Sequence, residues 1–415
     1  MDCLPYQLNI CRHRPVWALT LAICLIYSLN GGIRGNFGVL LAPLAANSHL
    51  SYSEVSFILA ISQLVFGLLQ PVFGLLAIRF SERNVMTAGC LFLAAGFLFT
   101  PFATSYASLF VTMGLLLPTG TAALSFGLLL GIVSPQVSPR QESIISGWLN
   151  ASSGIGTTLL APILQGLLMI GGLLGAMMFL GIPALLFIPL TFWLCHAVPA
   201  APQAEETPSP SLKAILLPAL HNRNYQFLII AFMTCGFHMA ILETHFFNQL
   251  TALGFERTAA ALCFTFYGIC TMTGSALSGW LCTRLPMRLV LGGIYALRVL
   301  AGCIMLLMSP SFLYIVPFLI LIGFTSDSIV SPTAGLILRH FGPQKLATLF
   351  GMAFLMHQLG CFAGAWAGGW IVEQFGSYHL LWMLDMAFSL LAAMLSFRIR
   401  ETEKGAAIDR SPEKF

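Results

Sequence analysis

Twelve long apolar runs, separated by short polar breaks, follow one another along almost the whole chain. Crossing the roughly 30 Å of hydrocarbon in a bilayer takes about 20 apolar residues in a helix, and each run is about that long or longer. The pattern therefore predicts an all-α membrane protein with twelve transmembrane helices. The runs lie at about 17–45, 53–79, 85–103, 106–134, 142–170, 174–195, 225–249, 258–283, 287–308, 311–338, 346–372 and 378–397.

The composition excludes an ordinary water-soluble protein. Hydrophobic residues make up 58% of the chain and charged residues 8%, whereas a soluble domain has about 25% charged residues. Twelve spans with short loops leave no room for a separate catalytic domain. The sequence shows no phosphate-binding loop and no nucleophile with its base, and its eleven cysteines form no CxxC pair or Cys/His cluster. We therefore expect no enzymatic activity, no nucleic-acid partner, no cofactor and no metal.

An internal repeat divides the runs six and six. The segment GLLAIRFSERNVM at 74–86 recurs about 205 positions later as GWLCTRLPMRLVL at 279–291, and Gly32 and Arg34 match Gly236 and His238 at nearly the same offset. Duplicated bundles of this kind place a substrate site near the bilayer midplane, between the halves. The predicted organisation is a six-helix bundle at 1–198, a Pro-rich cytoplasmic linker at 199–224, a pseudo-symmetric second bundle at 225–398 and a cytoplasmic tail at 399–415.

The distribution of positive charge predicts the topology. If both termini are cytoplasmic, sixteen of the nineteen Lys and Arg residues fall on the cytoplasmic side and only Arg257 falls outside. The first apolar run follows Arg12 and Arg14 without a small-residue cleavage site, so we interpret it as an uncleaved helix. The remaining two basic residues, Arg34 and Arg298, lie within apolar runs.

Ionisable side chains within the runs are the candidates for chemistry. A charge at mid-membrane costs at least roughly 2.5 to 3.5 kcal/mol, so such groups face the bundle interior and usually have partners. The candidates are Arg34, His238, Glu243, His245, Arg298, Asp327, His357 and Asp385.

Arg34 is the predicted anchor for an anionic substrate. Gly31, Gly32, Gly35 and Gly38 surround it and allow close approach, and a guanidinium presents a planar fork that matches a carboxylate. The alternative is a structural ion pair or a cap on backbone carbonyls. Four neutral groups could also contact substrate or serve in packing: Asn36 in the first run, Gln63 in the second, and His357 and Gln358 in the eleventh.

The seventh run carries three titratable residues. Spacings of five and seven place Glu243 about 140° around a helix from His238 and return His245 to the face of His238. Buried carboxyl and imidazole groups can exchange a proton near neutral pH. We predict Glu243 as the proton carrier and His238 and His245 as substrate-binding residues, with a partly solvated Glu243 and a purely structural His238 as alternatives.

Arg298 and Asp327 lie near the middle of consecutive runs that cross in opposite directions. Both should therefore lie at similar depth, and we predict a buried ion pair between them. For Arg298 the structural interpretation leads, whereas Asp327 is also a second candidate for proton coupling.

Several motifs resemble a known transporter family. GLLAIRFSERN is similar to the signature loop of the major facilitator superfamily, although Ile78 replaces the signature aspartate and Ser81 a glycine. The segments that resemble its bacterial monocarboxylate-transporter-like branch are GIRGNFGVLLAPL (32–44), GFHMAILETHFFNQL (236–250), GSALSGWL followed by IYALR (274–298), SPTAGL (331–336) and HQLGCFAGAWAGGW (357–370).

The resemblance implies a secondary transporter of the bacterial inner membrane that moves a small organic anion with protons by alternating access. It also implies that the first and seventh helices line the cavity. The eighth-helix aspartate and arginine of animal monocarboxylate carriers are replaced by Thr271 and Ser275, so substrate identity does not carry over. The expected partners are the anion, protons and membrane lipid, with the protein acting as a monomer. The alternatives are a proton-driven exporter of amphipathic or drug-like compounds and a ligand-binding membrane sensor.

Overall fold

The computed structural model describes residues 16–134, 137, 139–196, 212–307 and 312–401, and the regular elements in these ranges are all helices. In the first half the α-helices are α1 (Val16–Arg34), α2 (Phe37–Ser48), α3 (Tyr52–Phe80), α4 (Glu82–Phe99), α5 (Tyr106–Leu109), α6 (Leu117–Ala123), α7 (Phe126–Val133) and α8 (Pro139–His196). They continue as α9 (Leu212–His221), α10 (Arg223–Ala240), α11 (Phe247–Ala252), α12 (Arg257–Arg284), α13 (Met287–Leu307), α14 (Phe312–Thr325), α15 (Val330–Phe341), α16 (Pro343–Phe375) and α17 (His379–Phe397).

Eleven helical stretches in the described residues are long and apolar enough to cross a membrane. One of them, Ile144–Cys195, has 52 residues. A straight helix of that length would measure about 78 Å, more than twice the hydrocarbon thickness. Its backbone leaves helical geometry at Gly172, with φ 59° and ψ −160°, a conformation that glycine adopts without steric conflict. The fifth and sixth predicted runs lie on either side of this glycine.

Several of these long helices are interrupted near their middle. α1 and α2 are separated at Gly35 and Asn36, α6 and α7 at Leu124 and Ser125, and a 3₁₀ turn (Asp327–Ile329) stands between α14 and α15. π-helical turns at 110–116 and 241–246 continue α5 into α6 and α10 into α11. Interruptions leave peptide groups without helical partners, which hydrocarbon does not tolerate unless protein groups replace them.

Buried side chains supply the missing partners at two of the breaks. The Asn30 amide donates to the carbonyl oxygens of Thr121 and Leu124, at 2.8 and 2.9 Å. In the second half, Nη2 of Arg298 donates to the carbonyl oxygens of Thr325 and Ser326, at 2.7 and 2.9 Å. Each half therefore contains a broken helix whose carbonyls at the break accept from a polar side chain of a neighbouring helix.

The halves meet where α3 packs along α16 and where α8 packs along α12. At the start of α3, the Ser51 hydroxyl and the Ser53 amide donate to Oε2 of Glu373, at 3.0 and 2.8 Å. Beyond Gly67, within the described residues, no hydrogen bond, ion pair or ring contact joins the rest of α3 to the second half. The hydrogen bonds and ring contacts that join α3 to the second half thus lie in the part of α3 nearer to Ser51. The further pairs along this interface are Tyr52 with His245, Phe57 with Trp366, Gln63 with Glu243, and Phe66 with Phe354.

The predicted linker at 199–224 contains a helix. Residues 197–211 lie outside the described ranges, but α9 occupies 212–221, and Ala219 is buried in the cluster around Tyr225. Of the predicted tail at 399–415, residues 402–415 lie outside the described ranges. Glu401 is bound to the bundle, because its carboxylate accepts from the Arg288 amide and from Nη1 of Arg339.

Close packing of α10 on α16 gives a stability prediction. A Cβ atom at Gly360 would overlap the carbonyl oxygen of Met233, whereas a Cβ at Gly351 of the same helix would meet no atom within 4 Å. Gly360→Ala should therefore destabilise the protein by about 1 to 3 kcal/mol through overpacking, while Gly351→Ala should be neutral or slightly stabilising. Thermal unfolding in detergent measures both, and equal melting temperatures for the two variants would contradict this packing.

Candidate functional site

The sequence-predicted residues separate into two groups by exposure. Arg34, Glu243, Asp327 and His357 are half-buried. His238, His245, Arg298, Gln358 and Asn36 are fully buried, as is Asp385. Only the first group retains side-chain surface through which a solute could be bound. Its members come from α1, the π-turn after α10, the break after α14, and α16.

Arg34 is the last residue of α1, where a positive charge interacts favourably with the helix dipole. Its Nη2 and Nε atoms donate to Oε1 of Gln63, at 2.9 and 3.3 Å. Its guanidinium carbon lies 3.7 Å from the centroid of the Phe66 ring. Nη1 makes no hydrogen bond within the described part of the chain. The guanidinium is therefore held in place while one of its edges remains available to an anion.

Gln63 connects Arg34 to Glu243. Its Oε1 accepts from the guanidinium, and its Nε2 donates to Oε2 of Glu243 at 2.8 Å. This orientation of the amide is required, because a guanidinium only donates and an ionised carboxylate only accepts. Gln358 in turn donates to the Gln63 backbone carbonyl at 3.1 Å. A neutral amide thus joins a cation of the first half to a carboxylate of the second.

Glu243 and His245 lie in the π-turn 241–246. A π-turn holds an extra residue relative to an α-helix and is frequent at functional sites. The extra residue changes the angular positions of the side chains around the helix axis from those expected for a regular α-helix. The prediction that His238 and His245 share a face is wrong, since His238 contacts α17 whereas His245 contacts α3 and α16.

His245 belongs to the contact between the halves. Its Nε2 lies 2.8 Å from the Ala365 carbonyl oxygen, which can only accept, so Nε2 carries the proton and Nδ1 is an acceptor. The Tyr52 hydroxyl then donates to Nδ1, at 2.9 Å. His245 is fully buried, and both of its ring nitrogens have protein partners. The structure therefore gives this predicted substrate-binding residue a bridging position between α3 and α16.

The predicted ion pair between Arg298 and Asp327 is not formed. The only contacts within 4.0 Å between a basic and an acidic side chain in the described ranges join Arg339 to Glu401 and the imidazole of His238 to Asp385. Arg298 is fully buried and binds the free carbonyls of the helix break, as described above. The helix break explains why the predicted pair does not form, because the Arg298 guanidinium binds the unpaired carbonyls just before Asp327.

Asp385 and His238 form a buried pair inside the second half. The His238 Nδ1 donates to Oδ2 of Asp385 at 2.8 Å, and both side chains are at most 1% exposed. His238, predicted to bind substrate, is thus enclosed within the second half and hydrogen-bonded to Asp385.

Two further predicted residues, Asn36 and His357, have different environments. The Asn36 amide donates to the Gly32 and Thr157 carbonyls at the α1–α2 break, at 2.7 and 3.1 Å. Half-buried His357 stacks on Phe354, with ring centroids 5.7 Å apart, and its Nδ1 donates to Oε1 of Gln358 at 3.2 Å. Asn36 is therefore a structural residue, whereas His357 still presents surface beside the site.

Gln63 has only a minor role among the residues predicted from the sequence, and Phe66 and Tyr52 are not among them. An amide within an apolar run is a signal for Gln63, since a polar group there needs a partner. No comparable signal marks Phe66 or Tyr52, because aromatic residues are common on membrane helices.

Comparison with known proteins agrees with this architecture. The sequence pattern of the Major Facilitator Superfamily matches residues 23–252 and 230–414. The protein belongs to the Major Facilitator Superfamily. It is a multi-pass membrane protein of a transporter family and not an enzyme, as its sequence predicts.

Its relatives include bacterial and animal transporters. The uncharacterized MFS-type transporter YcxA of Bacillus subtilis (strain 168) is 25% identical over 382 residues, covering 87% of this chain and 90% of that protein. Monocarboxylate transporter 13 of Bos taurus is also 25% identical, over 385 residues, covering 90% and 87%. These proteins are similar to the present chain over nearly their whole length.

Solved structures of two transporters share the fold. The nucleoside transporter NupG superposes with a TM-score of 0.72 at 16% identity, covering 92% of this chain and all (100%) of that one. A bacterial homologue of the human lysosomal transporter Spinster, in an inward-facing and unoccupied conformation, superposes with a TM-score of 0.73 at 14% identity and covers 93% and 98%. At these identities the likeness concerns the fold alone.

The two interior arginines should respond differently to the same substitution. Arg298→Met leaves two buried carbonyls unpaired and should lower the free energy of unfolding by about 2 to 5 kcal/mol. Arg34→Met leaves one buried acceptor, Oε1 of Gln63, without its donor instead of two, and should therefore cost less, about 1 kcal/mol. Unfolding in detergent measures both variants. An equal loss of stability in the two would contradict the distinction.

Proposed function

We propose that the protein is a secondary active transporter that moves a carboxylate-type organic anion together with protons by alternating access. The observation that carries the proposal is the chain Arg34–Gln63–Glu243, which links an anion-binding group of one half to a proton-binding group of the other. We further propose that it acts as a monomer in the lipid of a bacterial inner membrane.

The proposal includes twelve spans in two pseudo-symmetric bundles with both termini in the cytoplasm. Two features support the twelve spans and the symmetry. The non-helical Gly172 divides the 52-residue stretch into two lengths that each suit one crossing. The breaks at Leu124 and Ser326, the latter at the start of the 3₁₀ turn, lie about 200 residues apart and are each capped by a buried side chain. The distribution of Lys and Arg supports cytoplasmic termini.

With this topology, the structure corresponds to an inward-facing state. The contacts of Ser51, Ser53 and Glu373 then close the external end, while the contact-poor remainder of α3 leads to the cytoplasm. Arg34, Gln63 and Glu243 lie at the inner limit of the closed interface. A solute bound there would be reached from the cytoplasmic side and separated from the exterior by the Tyr52–His245 contact.

Charge balance favours one proton as the coupling ion. Within the described spans, and with the histidines neutral, there are three interior carboxylates (Glu243, Asp327 and Asp385) and two guanidinium groups (Arg34 and Arg298). One bound proton makes this set neutral, which a low-dielectric interior favours. Glu243 is the carboxylate best placed to take it, because it is half-buried and its hydrogen-bond partner is a neutral amide.

The geometry suggests how the proton and the anion act on each other. An anion on Arg34 competes with Oε1 of Gln63 for the guanidinium. Protonation of Glu243 weakens the charge-assisted bond from Nε2 of the same amide. Protonation thus loosens the contact between the halves, whereas the anion releases the same side chain from its partner within the first half, and both together free the Gln63 side chain. Because rocking of the bundles must break this contact, binding and protonation favour the same conformational change.

An exporter of amphipathic compounds is the second candidate. The Phe66 ring lies against the Arg34 guanidinium, and Phe354 and the stacked His357 continue it as a row of aromatic rings, which would suit a larger apolar solute. Such a function would not depend on Arg34, so replacement of that residue distinguishes the two.

Uptake by purified protein in liposomes tests the coupling. A panel of two- to six-carbon carboxylates is screened with an imposed pH gradient. Glu243→Gln should reduce gradient-driven uptake to the level seen without a gradient but preserve exchange of internal for external substrate, because only the proton step is lost. Arg34→Ala should abolish both uptake and exchange, because the anion loses its anchor.

Glu256→Gln is the matched control, because it makes the same charge change at an exposed position outside the site. It should behave as wild type. Gradient-driven uptake that survives both Arg34→Ala and Glu243→Gln would refute the proposal.

A further inference from the structure

We infer that His357 determines specificity by accepting a hydrogen bond from the solute, at a point remote from the carboxylate that Arg34 binds. The inference rests on the proposed function and specifies the solute: an organic anion with a hydroxyl group several bonds away from its carboxylate. It starts from a chain of hydrogen bonds that fixes which nitrogen of the His357 ring carries the proton.

The tautomer of His357 follows from the orientation of the Gln358 amide. Nε2 of Gln358 lies 3.1 Å from the backbone carbonyl oxygen of Gln63, and a carbonyl oxygen only accepts, so this end of the amide is the nitrogen. The other end, Oε1, lies 3.2 Å from Nδ1 of His357 and also only accepts, so Nδ1 carries the proton. In the neutral imidazole, Nε2 is then a hydrogen-bond acceptor.

Nε2 of His357 is available to a solute. It makes no hydrogen bond within the described residues, and it is not among the enclosed polar atoms that lack a partner there. The residue as a whole is half-buried. An accessible acceptor without a protein partner in an apolar interior is a binding group, because a polar atom removed from water needs a hydrogen bond.

Aromatic neighbours fix the direction of this acceptor. The His357 ring stacks on Phe354, with 8° between the ring planes. The ring of buried Phe232 lies 5.0 Å from it, between centroids. With Nδ1 also bonded to Gln358, the imidazole is held before a solute arrives, and a pre-organised group binds at a lower entropic cost.

A row of ring contacts joins His357 to the anion-binding Arg34. The guanidinium carbon of Arg34 lies 3.7 Å from the centroid of the Phe66 ring. The Phe66 and Phe354 centroids are 6.5 Å apart, and those of Phe354 and His357 are 5.7 Å apart. Two side chains therefore lie between the anion-binding group and the acceptor along this row.

Hydrogen bonds make a second connection between these two residues, through the amides of Gln63 and Gln358. The Gln63 side chain accepts from Arg34 at 2.9 Å, its backbone carbonyl accepts from Gln358, and Gln358 accepts from His357. Gln358 also packs against Gly67, beyond which no hydrogen bond or ring contact joins α3 to the second half within the described residues. Arg34 and His357 therefore both lie where the contact between α3 and α16 ends.

The separation of Arg34 and His357 sets the position of the hydroxyl group. In a 2-hydroxy acid the hydroxyl is adjacent to the carboxylate, whereas Phe66 and Phe354 lie between the two protein groups. A solute bound to Arg34 therefore reaches Nε2 of His357 only through several carbon atoms. A hydroxyl suits this acceptor, since an ammonium group would need an anionic partner, which an imidazole does not provide.

Ligand-induced stabilisation in detergent, at about pH 7.5 where histidine is ordinarily neutral, tests the inference. The probes are straight-chain carboxylates of four to six carbons, each compared with its 2-hydroxy and its terminal-hydroxy derivative. For at least one chain length, the terminal hydroxyl should tighten binding to wild type about threefold to tenfold over the parent acid, as expected for a neutral hydrogen bond. The 2-hydroxyl should change the affinity by less than about twofold.

Two substitutions at His357 separate recognition from folding. His357→Asn places its amide near the former Nδ1, so the bond to Gln358 is kept and the acceptor at Nε2 is lost. The gain from the terminal hydroxyl should disappear, while the affinity for the parent acid stays within about twofold. His357→Gln places its amide near the former Nε2 and should retain part of the gain.

His221→Asn is the matched control, because it makes the same change at an exposed histidine on α9. It should behave as wild type, and unfolding without ligand checks that each variant is folded.

The outcomes also separate this inference from the proposed function. The inference is overturned if the terminal hydroxyl adds nothing in wild type, if the 2-hydroxyl adds as much, or if the gain persists in His357→Asn. An equal loss of parent and hydroxy acid in His357→Asn also overturns it. The anion function stands in each case if Arg34→Ala still abolishes binding, whereas failure of all carboxylates to bind wild type overturns both.

Discussion

Hydrocarbon solvates neither charges nor unpaired peptide groups, and the interior of this protein is organised around that constraint. Every interruption of a helix frees carbonyl oxygens that need donors from within the molecule. Asn30 and Arg298 supply such donors at two helix breaks, and His238 with Asp385 supplies a further internal pair. Three further polar groups, Arg34, Gln63 and Glu243, are held together where the two halves meet.

The same constraint gives two arginines opposite roles. Arg298 is enclosed by its own half, and its Nη2 donor is used by backbone carbonyls, so it stabilises a broken helix. Arg34 ends a helix at the meeting point of the halves, rests on Phe66 and keeps one edge accessible. Because a guanidinium always carries its charge, burial and available donors decide whether it is a structural or a binding group.

Gln63 shows how a neutral residue can carry coupling between charges. Its amide accepts hydrogen bonds from a cation and donates one to a carboxylate. If either neighbour changes its charge or its partner, at least one of these hydrogen bonds is weakened or lost. The contact also spans the two halves of the molecule. A change in the hydrogen bonds of the binding site therefore also changes the interface between the halves, which a transporter must open and close.

The sequence alone determined the class of structure and the set of polar residues available, because the length of each apolar run and the scarcity of charge follow from the thickness and polarity of a bilayer. It also singled out Arg34 and Glu243, since charges within apolar runs are conspicuous. Only the tertiary structure decided which of these groups meet. The Arg298–Asp327 pair failed because a helix break offered nearer carbonyls, and the two histidines of the seventh run separated because a π-turn altered their angular spacing. Such irregularities depend on packing between helices distant in sequence, which regular periodicity does not encode.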